Sequence, residues 1–369
     1  MKAAVCTDTG IDAAIEDIAV PVPSAGEVLL RVAACGVCHS DLHVLTGATA
    51  FPRPCVLGHE VSGVVSETGT GVTNVRKGDR VVASFILPCG ACEQCARGRP
   101  ELCLEFLVKN RRRGVLFDGT SRHRTHSGDP IWMYSMGGLA EYCVVPANDL
   151  FTVPDDIDLV AAAVLGCSVF TAYGAVHDVA EVGLGDSVAV IGAGGVGSSL
   201  IALARAAGAA DVIAIDIEEH KLTAAAALGA TRTVNAARGD AVAAVREATD
   251  GRGVDVCFEA IGDPGTLRTA VDVCGDGGHA VVVGLARPGT PASFDMGRLV
   301  RRKLRVSGSY GASPGAAMPA VIRLAAGARI DLSAIVTDRF TLEEVTVAYQ
   351  ALADRKIAGR GVLVIDTRL

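Results

Sequence analysis

An α/β protein, with a β-rich first part followed by a doubly wound parallel sheet, is the fold class that these 369 residues predict. Three observations carry the prediction. The first third consists of short apolar runs punctuated by Gly, Pro and Asp. After about residue 168 apolar runs alternate with Ala-rich helical stretches. One of those apolar runs leads directly into Gly192-Ala193-Gly194-Gly195-Val196-Gly197.

In chain order, Val28–Val32 and Val61–Val65 read as strands of the β-rich part. Residues 104–137 interrupt that texture with Arg111-Arg112-Arg113, two histidines and the single Trp132, and read as a long loop or insertion. The uncharged stretch Leu159–Val176 is 18 residues long, but its Gly and Ser/Thr residues and lack of basic flanks favour a buried core segment over a membrane span. Val188–Ile191, Val212–Ile215, Val254–Phe258 and Ala280–Val283 read as buried strands, with Leu304–Val306 as one more. Helices are expected between them at 196–207, 218–228, 238–249 and 265–274. From about residue 312 two further helices and a closing strand, Val362–Ile365, are expected.

Composition narrows the function classes. Half of the residues are hydrophobic and a fifth are charged, which excludes a disordered or fibrous chain. A net charge of −7 gives no attraction for nucleic acid or an anionic membrane. Met1–Cys6 has no apolar signal-like run, so a cytoplasmic protein is expected. In a reducing compartment, twelve cysteines suggest metal or catalytic thiolates rather than disulfides.

The glycine pattern makes chemical sense in its place. Gly192 permits a sharp turn, Gly194 lets the backbone approach a pyrophosphate, and Gly197 lets helix and strand pack closely. The helix that follows offers unpaired N–H groups to phosphate oxygens. Asp216 ends the next strand at about the 20-residue distance where such folds place a ribose-binding acid. Asp216, with Glu218 and Glu219 beside it, would repel a 2′-phosphate, so NAD is expected over NADP. A helix-capping role for Asp216 fits the same position.

Four cysteines fall within fifteen positions: Cys89, Cys92, Cys95 and Cys103. A bacterial iron–sulfur run would close its last gap after three residues and continue with Pro; here the gap is seven and Leu104 follows. Four thiolates from one loop suit a closed, structural zinc site. Three more segments hold potential ligands, around Cys35–His43, His59-Glu60 and Cys167.

Taken together, GVCHSDLH at 36–43, GHE at 58–60, CGACEQC…C at 89–103, GC at 166–167 and GAGGVG at 192–197 resemble the zinc-containing medium-chain alcohol dehydrogenases, in that family's order and over essentially the whole chain. The resemblance implies a GroES-like catalytic domain from residues 1–167 and 312–369, carrying a structural zinc lobe at 88–104, and a Rossmann NAD-binding domain at 168–311. It implies two zinc ions per chain. Cys38, His59 and Cys167 would hold the catalytic one, leaving a position open for water or substrate. Asp41 would accept the other ring N–H of His59, and Glu60 would stand behind the metal as an occasional ligand or as a structural carboxylate. Ser40 and His43 would relay the alcohol's proton to solvent. His39 and Arg360 would meet the pyrophosphate, Thr171 the nicotinamide and Lys221 the adenosine ribose.

The implied reaction is reversible hydride transfer between a primary or aromatic alcohol and NAD+, giving an aldehyde or ketone. Phe85 resembles a pocket-wall position, and Trp132, Tyr134 and Met136 are candidates for pocket or core. Arg111–Arg113 could meet an anionic arm of a substrate or form a solvated face. A thiol adduct of an aldehyde is an alternative substrate, and a dismutase that retains its NAD or a non-catalytic binding protein are alternatives of other kinds. No nucleic-acid or membrane partner is expected. A homo-oligomer, dimer or tetramer, is expected through an edge strand near Leu304–Ser307.

Overall fold

A computed structural model describes all residues from Met1 to Leu369. Three sheets organise it. Six parallel strands form the third, in the order Arg232–Asn235, Asp211–Asp216, Ser187–Ile191, Val254–Glu259, Cys274–Val282 and Arg305–Gly308. Chain order reverses between Ser187–Ile191 and Val254–Glu259, and a crevice opens at such a switch point outside the carboxyl ends of the strands. The strands here are nearly continuous runs of Val, Ile and Ala because helices cover both faces.

Four strands of this sheet and its edge strand match the sequence expectation closely. Arg232–Asn235 was not expected: it is short, polar and largely exposed at the sheet's other edge, so no apolar run marks it.

The second sheet has seven strands and joins the two ends of the chain. Glu27–Val37 is buried almost throughout and pairs with Val61–Thr68, with Tyr142–Pro146 and with the C-terminal strand Arg360–Val364. Val336–Thr341 then pairs with Arg360–Val364. The alternating, charged Val336–Thr341 is a further strand that hydrophobic pattern does not reveal.

Residues 104–137 are not a plain loop. Phe106–Asn110 makes a single wide helical turn and Arg111–Arg113 a normal one, ended by Gly114 at φ +70°. Pro130–Met133 then joins the first sheet by pairing with Cys55–Val56, and His123–Arg124 pairs with Pro130–Met133. Only long-range pairing gives these short runs their conformation.

His123 is fully buried there, its Nε2 2.9 Å from the Gly137 carbonyl. Burial pulls its imidazole down to about 4, against about 6.5 in an unfolded chain. Between those values the unfolded state binds the extra proton, so stability is lost as pH falls from 6.5 towards 4, by roughly 3 kcal/mol. His123→Gln keeps a donor for Gly137 and removes the titration. Urea unfolding at pH 4 and pH 7 should show an acid-induced loss smaller by about that amount in the variant; an equal loss in both proteins would refute the assignment.

No single helix is long and apolar enough to cross a membrane. The apolar stretch noted in the sequence divides into Leu159–Gly166 and Ser168–Val179, which meet at 46°. Cys167 sits at the break, outside helical geometry at φ −139° and ψ −68°.

Candidate active site

A cleft of about 520 Å³ runs along the switch point, with the Gly192–Gly197 turn on one side and the Cys38, His59 and Cys167 region on the other. Gly192 has φ +92°, and a Cβ on Gly197 would lie 1.8 Å from the Gly192 carbonyl, so both positions require glycine. Gly194 has nothing within 4 Å of its missing Cβ and faces the cleft. Asp216 Oδ2 accepts the Ala193 N–H at 2.8 Å, and Oδ1 accepts from Ile217 and Glu218 at 2.7 and 3.0 Å. The carboxylate is thereby fixed at the mouth of the glycine turn. His39, Gly195, Val196, Thr171, Lys221 and Arg360 also line the cleft.

At the other end, three elements bring their sulfur and nitrogen atoms together. Cys38 immediately precedes the helix His39–Leu45, His59 follows the short strand Cys55–Val56, and Cys167 lies at the helix break. Their donor atoms all lie within 4.8 Å of one another and all three residues are buried. Asp41 Oδ1 lies 3.1 Å from His59 Nδ1 and accepts the Gly58 N–H at 3.2 Å, which turns Nε2 towards the sulfurs. Burial alone would lower the His59 imidazole, but Asp41 and Cys38 outweigh it and raise it to about 10. The pocket therefore favours positive charge where the donors converge, and two thiols with an imidazole suit zinc.

Glu60 does not join this set. Its Oε2 accepts from Arg360 Nε at 2.7 Å and its Oε1 from the Ser168 N–H at 2.8 Å, so both oxygens are engaged behind the cluster. Arg360 reaches further than a pyrophosphate role alone requires. Its Nη2 lies 3.8 Å from Cys167 Sγ, and its Nη1 abuts Gly195, where a Cβ would lie 2.7 Å away. Ser40 Oγ is 3.7 Å from Cys38 Sγ, and His43, one helical turn on, lines the same cleft.

Cys89, Cys92, Cys95 and Cys103 form a second group with sulfurs within 4.8 Å of one another. Cys103 Sγ accepts the N–H groups of Cys89 and Phe106 at 3.3 and 3.4 Å, and Cys89 Sγ accepts the Cys92 N–H at 3.3 Å. The backbone N–H of Cys95 helps to draw the Cys92 thiol down to about 6. Burial pushes the Cys95 thiol the other way, up to about 12, and raises that of Cys103, so Cys92 is the sulfur prepared as a thiolate and its neighbours would give up their protons to a bound metal.

The substrate end is walled by rings. Phe85 stands edge-on to His59, Phe170 and Tyr310, at 5.9, 5.7 and 5.8 Å between centroids. Tyr134 is also edge-on to His59 at 5.9 Å. Trp132, Tyr134 and Met136 do not line the cleft: Trp132 belongs to the pairing with Cys55, Met136 is wholly buried, and Tyr134 is buried between His59 and Arg111. Scarce aromatics do not reveal which way they face. Tyr310, which lines the cleft, was missed from the sequence. Tyr310 could have been found, since it follows the carboxyl end of a parallel strand, where ligands gather. Of the arginine triplet, only Arg111 lines the cleft.

Comparison with known proteins agrees with this geometry. Residues 24–155 match the alcohol dehydrogenase GroES-like domain and residues 195–327 the zinc-binding dehydrogenase domain. The chain is 35% identical over 360 residues to S-(hydroxymethyl)glutathione dehydrogenase of Photobacterium damsela subsp. piscicida, covering 96% of this chain and 97% of that one. Among solved structures, an alcohol dehydrogenase zinc-binding domain protein from Burkholderia ambifaria superposes with TM-score 0.93 at 34% identity, over 99% and 98% of the two chains. Benzyl alcohol dehydrogenase from Acinetobacter calcoaceticus superposes with TM-score 0.92 at 32% identity, over 99% of both.

Proposed function

The chain belongs to the zinc-containing medium-chain alcohol dehydrogenase family, and we propose that it oxidises primary or aromatic alcohols, or reduces the matching aldehydes, in the cleft between Cys38 and Gly192. Membership makes it a zinc-dependent oxidoreductase acting on CH–OH groups with NAD. The observation that carries the substrate reading is that Phe85 and Tyr310 line the cleft beside Cys38, His59 and Cys167, with the buried Phe170 and Tyr134 rings packed against Phe85 and His59 in support.

Zinc held by those three side chains supplies Lewis acidity that makes a hydroxyl group acidic near neutral pH. The chain's own residues do the rest. Rings position the carbinol carbon and exclude water. Ser40 receives the hydroxyl proton and His43 passes it to the cleft mouth. Asp216 and the Gly192–Gly197 turn hold the dinucleotide along the switch point.

Ser40→Ala is expected to lower turnover by about 100-fold or more, with zinc content unchanged. Turnover like that of the native enzyme, at full zinc content, would remove Ser40 from the relay. The function itself is tested with NAD and a panel of benzyl, aliphatic and thiol-adduct alcohols, followed as NADH formation. A thiol adduct preferred over every free alcohol would support the reading suggested by the S-(hydroxymethyl)glutathione dehydrogenase relatives instead. No oxidation of any alcohol by protein carrying two zinc ions per chain would overturn both. The free edge strand Arg305–Gly308 supports a homo-oligomer, which light scattering would measure.

A further inference from the structure

We infer that Arg111 is a carboxylate-binding residue of the substrate pocket, so that the preferred substrates are compact alcohols or aldehydes that also bear a carboxylate. The inference rests on the dehydrogenase reading above and names its substrate class.

Four observations lead to it. Arg111 lies over the Tyr134 ring, its guanidinium carbon 3.9 Å from the ring centroid, with the Phe85 and Phe106 rings at 6.0 and 5.9 Å. Its Nη1 is buried and has no hydrogen-bond partner. A stacked guanidinium leaves its in-plane N–H groups free for a planar acceptor, and a carboxylate matches that fork. An unpaired cation among rings is unfavourable unless something anionic enters.

The mount is also rigid. Asn110, buried beside Arg111, donates to the Ser135 carbonyl at 2.7 Å, and Ser135 Oγ donates to the Phe85 carbonyl at 2.9 Å. Ser135 holds φ +58°, a conformation that non-glycine residues adopt at a cost and that clusters at functional sites. Arg112 and Arg113, in contrast, are exposed.

Arg111 and His59 both stand against the Tyr134 ring, 3.9 and 5.9 Å from its centre, and both line the cleft, so the guanidinium lies within reach of a metal ligand. The hydroxymethylbenzoate isomers place a carboxylate at graded separations from the carbinol and so probe that reach. The alcohol loses its proton and a hydride to NAD+ and becomes an aldehyde, while the carboxylate is unchanged.

The test compares hydroxymethylbenzoate isomers with their methyl esters, in the native enzyme and in Arg111→Met and Arg111→Lys. For the best isomer, the acid-to-ester ratio of kcat/KM should be about 100 in the native enzyme, near unity in Arg111→Met and intermediate in Arg111→Lys. The KM for NAD should not follow that ratio. Calorimetry of the NAD complex supplies a readout without turnover: benzoate should bind more tightly than benzamide to the native enzyme, a result needing no variant to fold. Alcohols oxidised with no preference for acid over ester, or a ratio unmoved in Arg111→Met, overturn the inference. Benzoate preferred over benzamide by the native enzyme but not by Arg111→Met, while no alcohol is oxidised, would uphold the Arg111 site and refute the dehydrogenase reading.

Discussion

His59→Ala is expected to lose one of two zinc ions per chain and to lower turnover by at least about a thousand-fold. The reasons lie in the surroundings of that imidazole. It is one of only three donors that converge, so its loss leaves two sulfurs from distant parts of the chain. It also balances Asp41, which is wholly buried and has Oδ2 unpartnered already. Deleting the ring leaves that carboxylate next to a cavity, with one of its two polar contacts gone. The cluster of Cys89, Cys92, Cys95 and Cys103 is built by a separate segment, so its zinc should stay. Metal analysis and NADH formation on the same sample decide the matter. Two zinc ions retained would place the catalytic metal elsewhere, and one retained with turnover intact would separate the metal from the reaction.

Asp41→Asn should give a milder version of the same result. It keeps an oxygen for the His59 N–H and removes the charge. Partners of this kind alter metal affinity or activity by about 10- to 100-fold, which competition with a chelator would measure.

Much of this site was legible because its chemistry sits in short contiguous motifs. Cys89 to Cys103 form one loop, and Gly192 to Gly197 one turn, so spacing along the chain is close to spacing in the fold. Parallel strands were legible for a related reason: buried on both faces, Ser187–Ile191 and Val254–Glu259 are apolar throughout. Legibility ended where direction or partner decides. In Arg111–Arg113 successive side chains turn by about 100° around a helical axis, so one of three faces the cleft, and sequence alone does not say which. Trp132 and Met136 belong to a segment whose conformation comes from pairing with Cys55–Val56, a two-residue strand with no pattern to read. Arg232–Asn235 and Val336–Thr341 have polar, exposed edges and owe their extension to neighbours. Arg360 was read through one contact, the pyrophosphate, because its pairing with Glu60 spans 300 positions of chain.

That pairing makes Arg360→Met the most destabilising single change expected outside the metal ligands. Glu60 is completely buried and Arg360 nearly so, and their bond is 2.7 Å long. Removing one partner of a buried pair leaves an uncompensated charge and costs about 3–5 kcal/mol. Glu60 retains only the Ser168 N–H after the change. Glu60→Gln alone keeps an amide oxygen for the Arg360 N–H but leaves the guanidinium without its carboxylate, whereas in the Arg360→Met background the same change removes the charge that Arg360 had balanced. The double variant should therefore be more stable than the sum of the single effects predicts, by at least about 1 kcal/mol. Denaturant unfolding of the four proteins gives that coupling directly, and strict additivity would mean that the pair contributes nothing as a pair. A second readout separates structure from chemistry. Arg360 also touches Cys167 on the zinc side and Gly195 on the cofactor side, so Arg360→Met should raise KM for NAD, whereas Glu60→Gln should leave most of that affinity in place. Equal KM changes in both variants would confine Arg360 to a structural role behind the metal.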